Sequence, residues 1–149
     1  MNAVEMWEKS GLKGDYEAWA FGDEPDKLAE LVLKGIKSAT SSAYACYVDE
    51  GEALPEEGEY SIILNSKDEA VCITKTTKVY ITSFCKVTAE HAFKEGEGDK
   101  SLDYWRAVHK EFFTDELKEI GQAFDMDMKV VCEEFEVVYP SRGYNLRLG

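Results

Sequence analysis

No run of apolar residues in this chain approaches the ~20 that span a bilayer. Its first twenty residues, MNAVEMWEKSGLKGDYEAWA, hold no apolar stretch of signal-peptide length. These two absences predict a cytoplasmic chain with no membrane partner. Cysteine is sparse, and Cys46, Cys72, Cys85 and Cys132 are far apart with no C-x-x-C pair. That spacing argues against disulfides and a zinc site; Cys72 and Cys132 lie in apolar runs and are expected as reduced core thiols. No metal and no cofactor is expected. Basic residues are outnumbered, 17 Lys and Arg against 30 Asp and Glu, for a net charge of -13. Such a charge repels a long duplex, so contact with nucleic acid must be local or single-stranded. Internal repeats and low-complexity segments are also missing.

What remains is the composition of one folded domain. The 149 residues are 44% hydrophobic and 12% aromatic, enough for a chain of this length to bury roughly 70% of its unfolded surface in one core. Residues 1–149 are therefore read as a single domain. Met6, Trp7, Tyr16, Trp19 and Phe21 give the start of the chain too many aromatics for a loose tail, so helices within 1–22 are expected to dock on the body. Residues 141–149 are expected to fray.

Along the chain, GDEPDKLAELVLKG carries a full set of helix signals. Pro25 suits the first turn, Asp23 or Glu24 the cap, Leu28, Leu31 and Val32 an apolar stripe, and Gly35 the left-handed stop. The next segment, SATSSAYACYVDEG, is predicted as a second short helix, which leaves Lys37 and Thr40 in the connector. Strands are expected from about Glu59, over EAVCITKTTKVYITSF as one long bent strand or two, and over MKVVCEEFEVVYP up to Pro140. Between the last two, Thr88 and Ser101 are read as caps of a short and a longer helix, with Thr114 capping another. Strands interrupted by helices, with the last strand returning late, predict an α+β fold built on a small mixed β-barrel.

Several residues carry candidate chemistry. Gly35-x-Lys37-x-x-Thr40 would place a cation and a hydroxyl at a turn feeding a helix N-terminus, a setting that favours anions. The same spacing also fits a helix stop, a solvated lysine and a capping threonine. Lys34, Lys37, Lys75, Lys78 and Lys86 fall between the second helix and the middle strands, as a small basic pocket or as solvated strand-edge lysines. On the helix from Ser101, Leu102, Trp105, Val108 and Phe112 are read as the apolar stripe. His109 falls inside it and Arg106 at its edge, so both should point inward. Arg106 would then bind a phosphate or base edge, or pair with an acid of EGEGD. That turn has too few carboxylates for a calcium loop, and His91 beside it is read as a surface residue.

Joined in order, G-x-K-x-x-T, then HAFKEGEGDKSLDYWRAVHKEFF, then VVCEEFEVVYP resemble the ASCH domain family, in its bacterial branch with an EGEGD-S-x-x-Y-W-R-x-x-H block. The likeness runs from about Trp7 to Pro140. It implies a PUA-like barrel with helices packed around it and a ligand cleft at the G-x-K-x-x-T segment. Family members are thought to bind RNA or its components, so RNA, a nucleotide or a modified nucleoside is the implied partner. The implied ligand-binding residues are Gly35, Lys37, Thr40, Lys75, Arg106 and His109. Relatives that remove acyl groups from N4-acylated cytidine pair the lysine and threonine with a strand glutamate, which would make Lys37 and Thr40 catalytic. Activating Thr40 would require Lys37 to titrate near 7 instead of ~10.4, at about 4–5 kcal/mol. The strand position that should supply the glutamate holds Lys75, which cannot accept the same protons; Glu69, Glu95 or Glu97 would have to substitute. Metal-independent RNA cleavage is the other activity in the family, and a protein-binding adaptor is the third possibility.

Overall fold

The computed structural model describes residues 1–140. The frayed tail expected at 141–149 lies outside the described residues. Among the described residues, five helices and five strands alternate irregularly: α1 (Ala3–Ser10), β1 (Tyr16–Trp19), α2 (Pro25–Leu33), β2 (Ala39–Ala43), α3 (Tyr44–Glu50), β3 (Tyr60–Leu64), β4 (Ala70–Ser83), a 3-10 turn (Phe84–Lys86), α4 (Ala89–Glu95), α5 (Leu102–Glu119) and β5 (Lys129–Tyr139). The strands form one mixed sheet in the order β1-β3-β4-β5-β2. β1 runs parallel to β3, whereas β3 with β4 and β2 with β5 are antiparallel. The α+β class expected from the element order is thus present. No helix among the described residues is long and apolar enough to cross a membrane.

Local chemistry explains most of these boundaries. α1 opens with a capping box, in which Asn2 Oδ1 accepts from the Glu5 N–H at 2.9 Å and Glu5 Oε1 from the Asn2 N–H at 3.2 Å. α2 begins at Pro25, but Glu24 before it is left-handed (φ 44°) and makes no side-chain cap. Instead Asp26 accepts from the Ser66 N–H at 2.7 Å and the Ser66 hydroxyl at 2.9 Å, tying the helix start to the β3–β4 turn. Gly35 takes the left-handed conformation (φ 77°), as its place after the helix requires. Thr88 and Ser101 cap α4 and α5 as expected. Thr114 caps nothing; its hydroxyl donates to the Lys110 carbonyl within α5.

Two expectations gave way to tertiary pairing. SATSS is not helical: Ala39–Ala43 pairs with β5, from Ala39 opposite Glu134 to Ala43 opposite Val130. The helical spacing holds only from Tyr44 onward, because the ladder satisfies the backbone before it and buries Ala39 and Ala43. The N-terminal segment contributes one helix and a strand, β1, which pairs in parallel with β3.

The chain divides into two compact units. The first holds Met1–Ser38, Glu56–Thr77 and the segment from Phe135; the second holds Ala39–Pro55 and Lys78–Glu134. In the first, Ala29, Val32, Ile63, Cys72 and Phe135 form one apolar cluster, and Met6, Ile62 and Ile73 another. Trp7 seals the latter, its ring 4.7 Å from Tyr16 and 5.4 Å from Tyr60. In the second, Phe84 is the hub, with Trp105, Phe113, Leu117, Val130 and Cys132 around it. The α5 stripe therefore runs through Trp105, Phe113 and Leu117, and Phe112 is 36% exposed. The stripe differs from the expected one by passing through Phe113 instead of Phe112, since 109 and 113 continue the four-residue spacing that 105 starts.

Candidate functional site

In the first unit, the chain leaves α2 through Gly35 and turns Lys37 inward, leaving it 2% exposed. Its ammonium lies 5.4 Å from the centroid of the Phe21 ring, within the range at which an aromatic face attracts a cation. Lys75, also in this unit, is half-buried on β4 opposite Tyr60, with Nζ 5.9 Å from that ring. Lys34 instead stays in solvent, paired with Glu30 at 2.8 Å along α2.

The boundary between the units falls after Ser38, so Thr40, Arg106 and His109 belong to the second. Thr40 sits within β2 opposite Glu133 and not in a connector. Side chains alternate along a strand, so Thr40 and Ser41 point to opposite faces of β2, and it is Ser41 that meets the helices. Its hydroxyl donates to Glu95 Oε2 at 2.5 Å and lies 2.8 Å from His91 Nε2. Glu95 Oε2 also accepts from His91 Nε2 at 2.9 Å and from the Trp105 indole N–H at 2.5 Å. Glu95 is 2% exposed and His91 1%, so an anion taken from water here is compensated by three donors on one oxygen.

His91 is not the surface residue expected from its acidic neighbourhood. Burial alone pushes its imidazole down, but contacts with the Cys132 thiol and the Glu95 carboxylate outweigh that and raise its pKa to about 9. Nδ1 of the ring has no well-formed hydrogen bond among the described residues. Nothing in the local sequence marked Ser41 or Trp105 as partners; only His91 and Glu95, four residues apart on one helix face, carried a readable signal.

His109 joins the same cluster. Its ring stacks on Trp105 at 4.2 Å and 15°, Nδ1 lies 2.9 Å from the Trp105 carbonyl, and Nε2 lies 3.6 Å from Glu95 Oε1. A cavity of about 10 Å³, room for one small group, is walled by Glu95, Glu97, Ser101, Tyr104, Trp105 and His109. Arg106 is partly buried and its Nε has no hydrogen-bond partner among the described residues. The EGEGD turn is structural in part: Gly96 ends α4, and Asp99 accepts from the Ser101 N–H at 2.9 Å. No group of three or more His, Cys, Asp or Glu suited to a metal ion occurs among the described residues.

Of the five lysines read as a small basic pocket or as solvated strand-edge residues, Lys34, Lys37 and Lys75 lie in the first unit. Lys78 lies 4.0 Å from Glu134, and this exposed lysine belongs to the second unit with Lys86. All four cysteines are free, and Cys72 and Cys132 are buried as expected.

A family model described as the ASCH domain matches residues 17–139. Two solved structures are similar over almost their whole length. The ASCH domain from Lactobacillus crispatus JV V101 is 32% identical, with a TM-score of 0.86, covering 91% of this chain and 93% of that one. Protein EF3133 from Enterococcus faecalis V583 is 34% identical, with a TM-score of 0.80, covering 98% and 90%. No curated protein matches the chain.

Proposed function

Because this chain belongs to the ASCH domain family, we propose that it binds RNA, a nucleotide or a modified nucleoside, with Lys37 as the cationic anchor. The observation that carries this reading is the burial of that lysine, 2% exposed beside the Phe21 ring in a chain of net charge -13. A positive charge held inside an acidic chain favours the approach of an anionic or carbonyl-bearing ligand. Gly35 sets the turn that brings it inward, and Lys75 adds a second cation in the same unit. Thr40, Arg106 and His109 belong to the second unit, and each is tested by its own substitution.

Cytidine deacylation is disfavoured by Lys75, which occupies the strand position where that chemistry needs a carboxylate. RNA cleavage without metal is the alternative activity, and the same assay separates it from binding. Purified protein is incubated in EDTA with short single-stranded RNA, with nucleosides and with N4-acetylcytidine, and both melting temperature and products are followed. Binding predicts stabilisation of about 2.7 kcal/mol at a hundredfold excess of ligand over Kd, lost in Lys37→Met. Product formation with RNA would move the assignment to a ribonuclease. If none of these compounds shifts the melting temperature or turns over, the RNA-related reading fails. Its salt dependence should be shallow, because few phosphates are neutralised.

A further inference from the structure

The start of α3, the last turn of α5 and the segment leading into β5 enclose a groove of about 380 Å³ within the second unit. That volume is typical of small-molecule sites. Its wall on the β5 side is fastened at several points. Gly121, left-handed at φ 74°, closes α5, and the Gln122 N–H donates back to the Leu117 carbonyl at 2.9 Å. The Phe84 and Cys85 N–H groups donate to the Met128 and Met126 carbonyls at 2.9 and 3.0 Å. The groove is therefore built before any ligand arrives.

Its two sides differ in chemistry. Tyr44 of α3 and Leu117 of α5 supply apolar surface, joined by Met128. The charges all come from one short stretch, as Asp125, Asp127 and Lys129 at alternate positions. Asp125 Oδ1 accepts from the Asp127 N–H at 2.7 Å, and Asp127 Oδ1 from the Cys85 thiol at 3.7 Å. The Oδ2 atom of each has no partner among the described residues. Lys129 pairs with neither carboxylate among the described residues, and its ammonium lies 5.2 Å from the centroid of the Tyr44 ring. Both signs thus line one side of the groove without neutralising each other, opposite an apolar side.

We propose that this groove binds a free α-amino acid with an apolar side chain. Its ammonium meets Asp125 and Asp127, its carboxylate meets Lys129, and its side chain lies against Tyr44, Leu117 and Met128. A simple cation would be repelled by Lys129 and a simple anion by the two aspartates, whereas a head carrying both signs on adjacent atoms complements all three. The site is made of second-unit residues alone and does not rest on the ligand proposed for Lys37.

The test is calorimetric titration of the full chain with leucine, leucinamide, N-acetyl-leucine and glycine, with the methyl NMR signals of Leu117 and Met128 followed in parallel. Leucinamide lacks the carboxylate, N-acetyl-leucine the ammonium and glycine the apolar body, so each should bind at least about tenfold more weakly than leucine. Leucine should shift both sets of methyl signals. Lys129→Gln should bring leucine down to the affinity of leucinamide, and Asp125→Asn combined with Asp127→Asn to that of N-acetyl-leucine. All three positions are exposed, and the four affinities of the unsubstituted chain decide the proposal even where a variant is destabilised. Leucinamide or N-acetyl-leucine binding as tightly as leucine, affinities that survive the substitutions, or shifts that bypass Leu117 and Met128 would overturn it. So would a lack of saturable leucine binding at millimolar concentration, a result that leaves the reading of Lys37 standing.

Discussion

Each unit of this protein buries a full charge, and they do so in opposite ways. The first buries a cation, Lys37, beside the face of Phe21. The second buries an anion, Glu95, on which Ser41, His91 and Trp105 converge. An aromatic face attracts an ammonium without fixing its direction. Three donors on one carboxylate oxygen fix position, orientation and rotamer together. Glu95 is thereby a fastening between β2, α4 and α5.

The sharpest way to break the comparison is Glu95→Ala. It strands three donors in a dry interior, and urea unfolding should show a loss of about 3–5 kcal/mol, the cost of removing one member of a buried charged network. A loss below 1 kcal/mol would mean that the network does not fasten the second unit.

Next in size is the pH response of the same cluster. The pKa of His91 is raised from 6.5 to about 9, so the folded state holds its proton more tightly than the unfolded chain. The stabilisation this brings is complete below pH 6.5 and is lost as the pH rises through 9. Denaturation midpoints should fall across that window, and His91→Gln should flatten the fall. A profile unchanged by the substitution would detach His91 from Glu95.

The smallest effect sharpens the first unit. Lys34 and Lys37 are three residues apart, but Lys34 is solvated and paired with Glu30. Lys34→Ala should cost no more than about 0.3–0.5 kcal/mol, as exposed helix pairs do, and leave nucleoside binding untouched. Loss of binding in this variant would extend the anchor beyond Lys37.

How far the sequence anticipated all this depended on the range of the interaction. Signals that act within a few residues were legible: Pro25 and Gly35 bracketing α2, Thr88 and Ser101 capping α4 and α5, the β-branched run of β4. The α5 stripe was legible only in part, because Phe112 and Phe113 compete for one position and packing on Phe84 decides for Phe113. Pairing at a distance was hidden. β2 looked helical because Ala43, Cys46 and Tyr47 have helical spacing, and nothing local announces that Ser41 will stand opposite Cys132. The candidate site split along the same line. Lys37 and His109 stand out from motif and periodicity, whereas Glu95 is legible only as an acid of the EGEGD turn or a substitute for a strand glutamate, and His91 reads as a surface residue.

The pairing of β2 with β5 also bears on how the chain reaches its native state. Ala39 finds Glu134, and Ala43 finds Val130, only after most of the intervening chain has been closed into a loop. The second unit is itself built from two stretches with Glu56–Thr77 of the first unit lying between them in sequence. No single cut can release either unit as a continuous piece. Folding dominated by such distant contacts is slow for a chain of this size, and a ribosome must finish β5 before the strand carrying Thr40 and Ser41 has a partner to hold it.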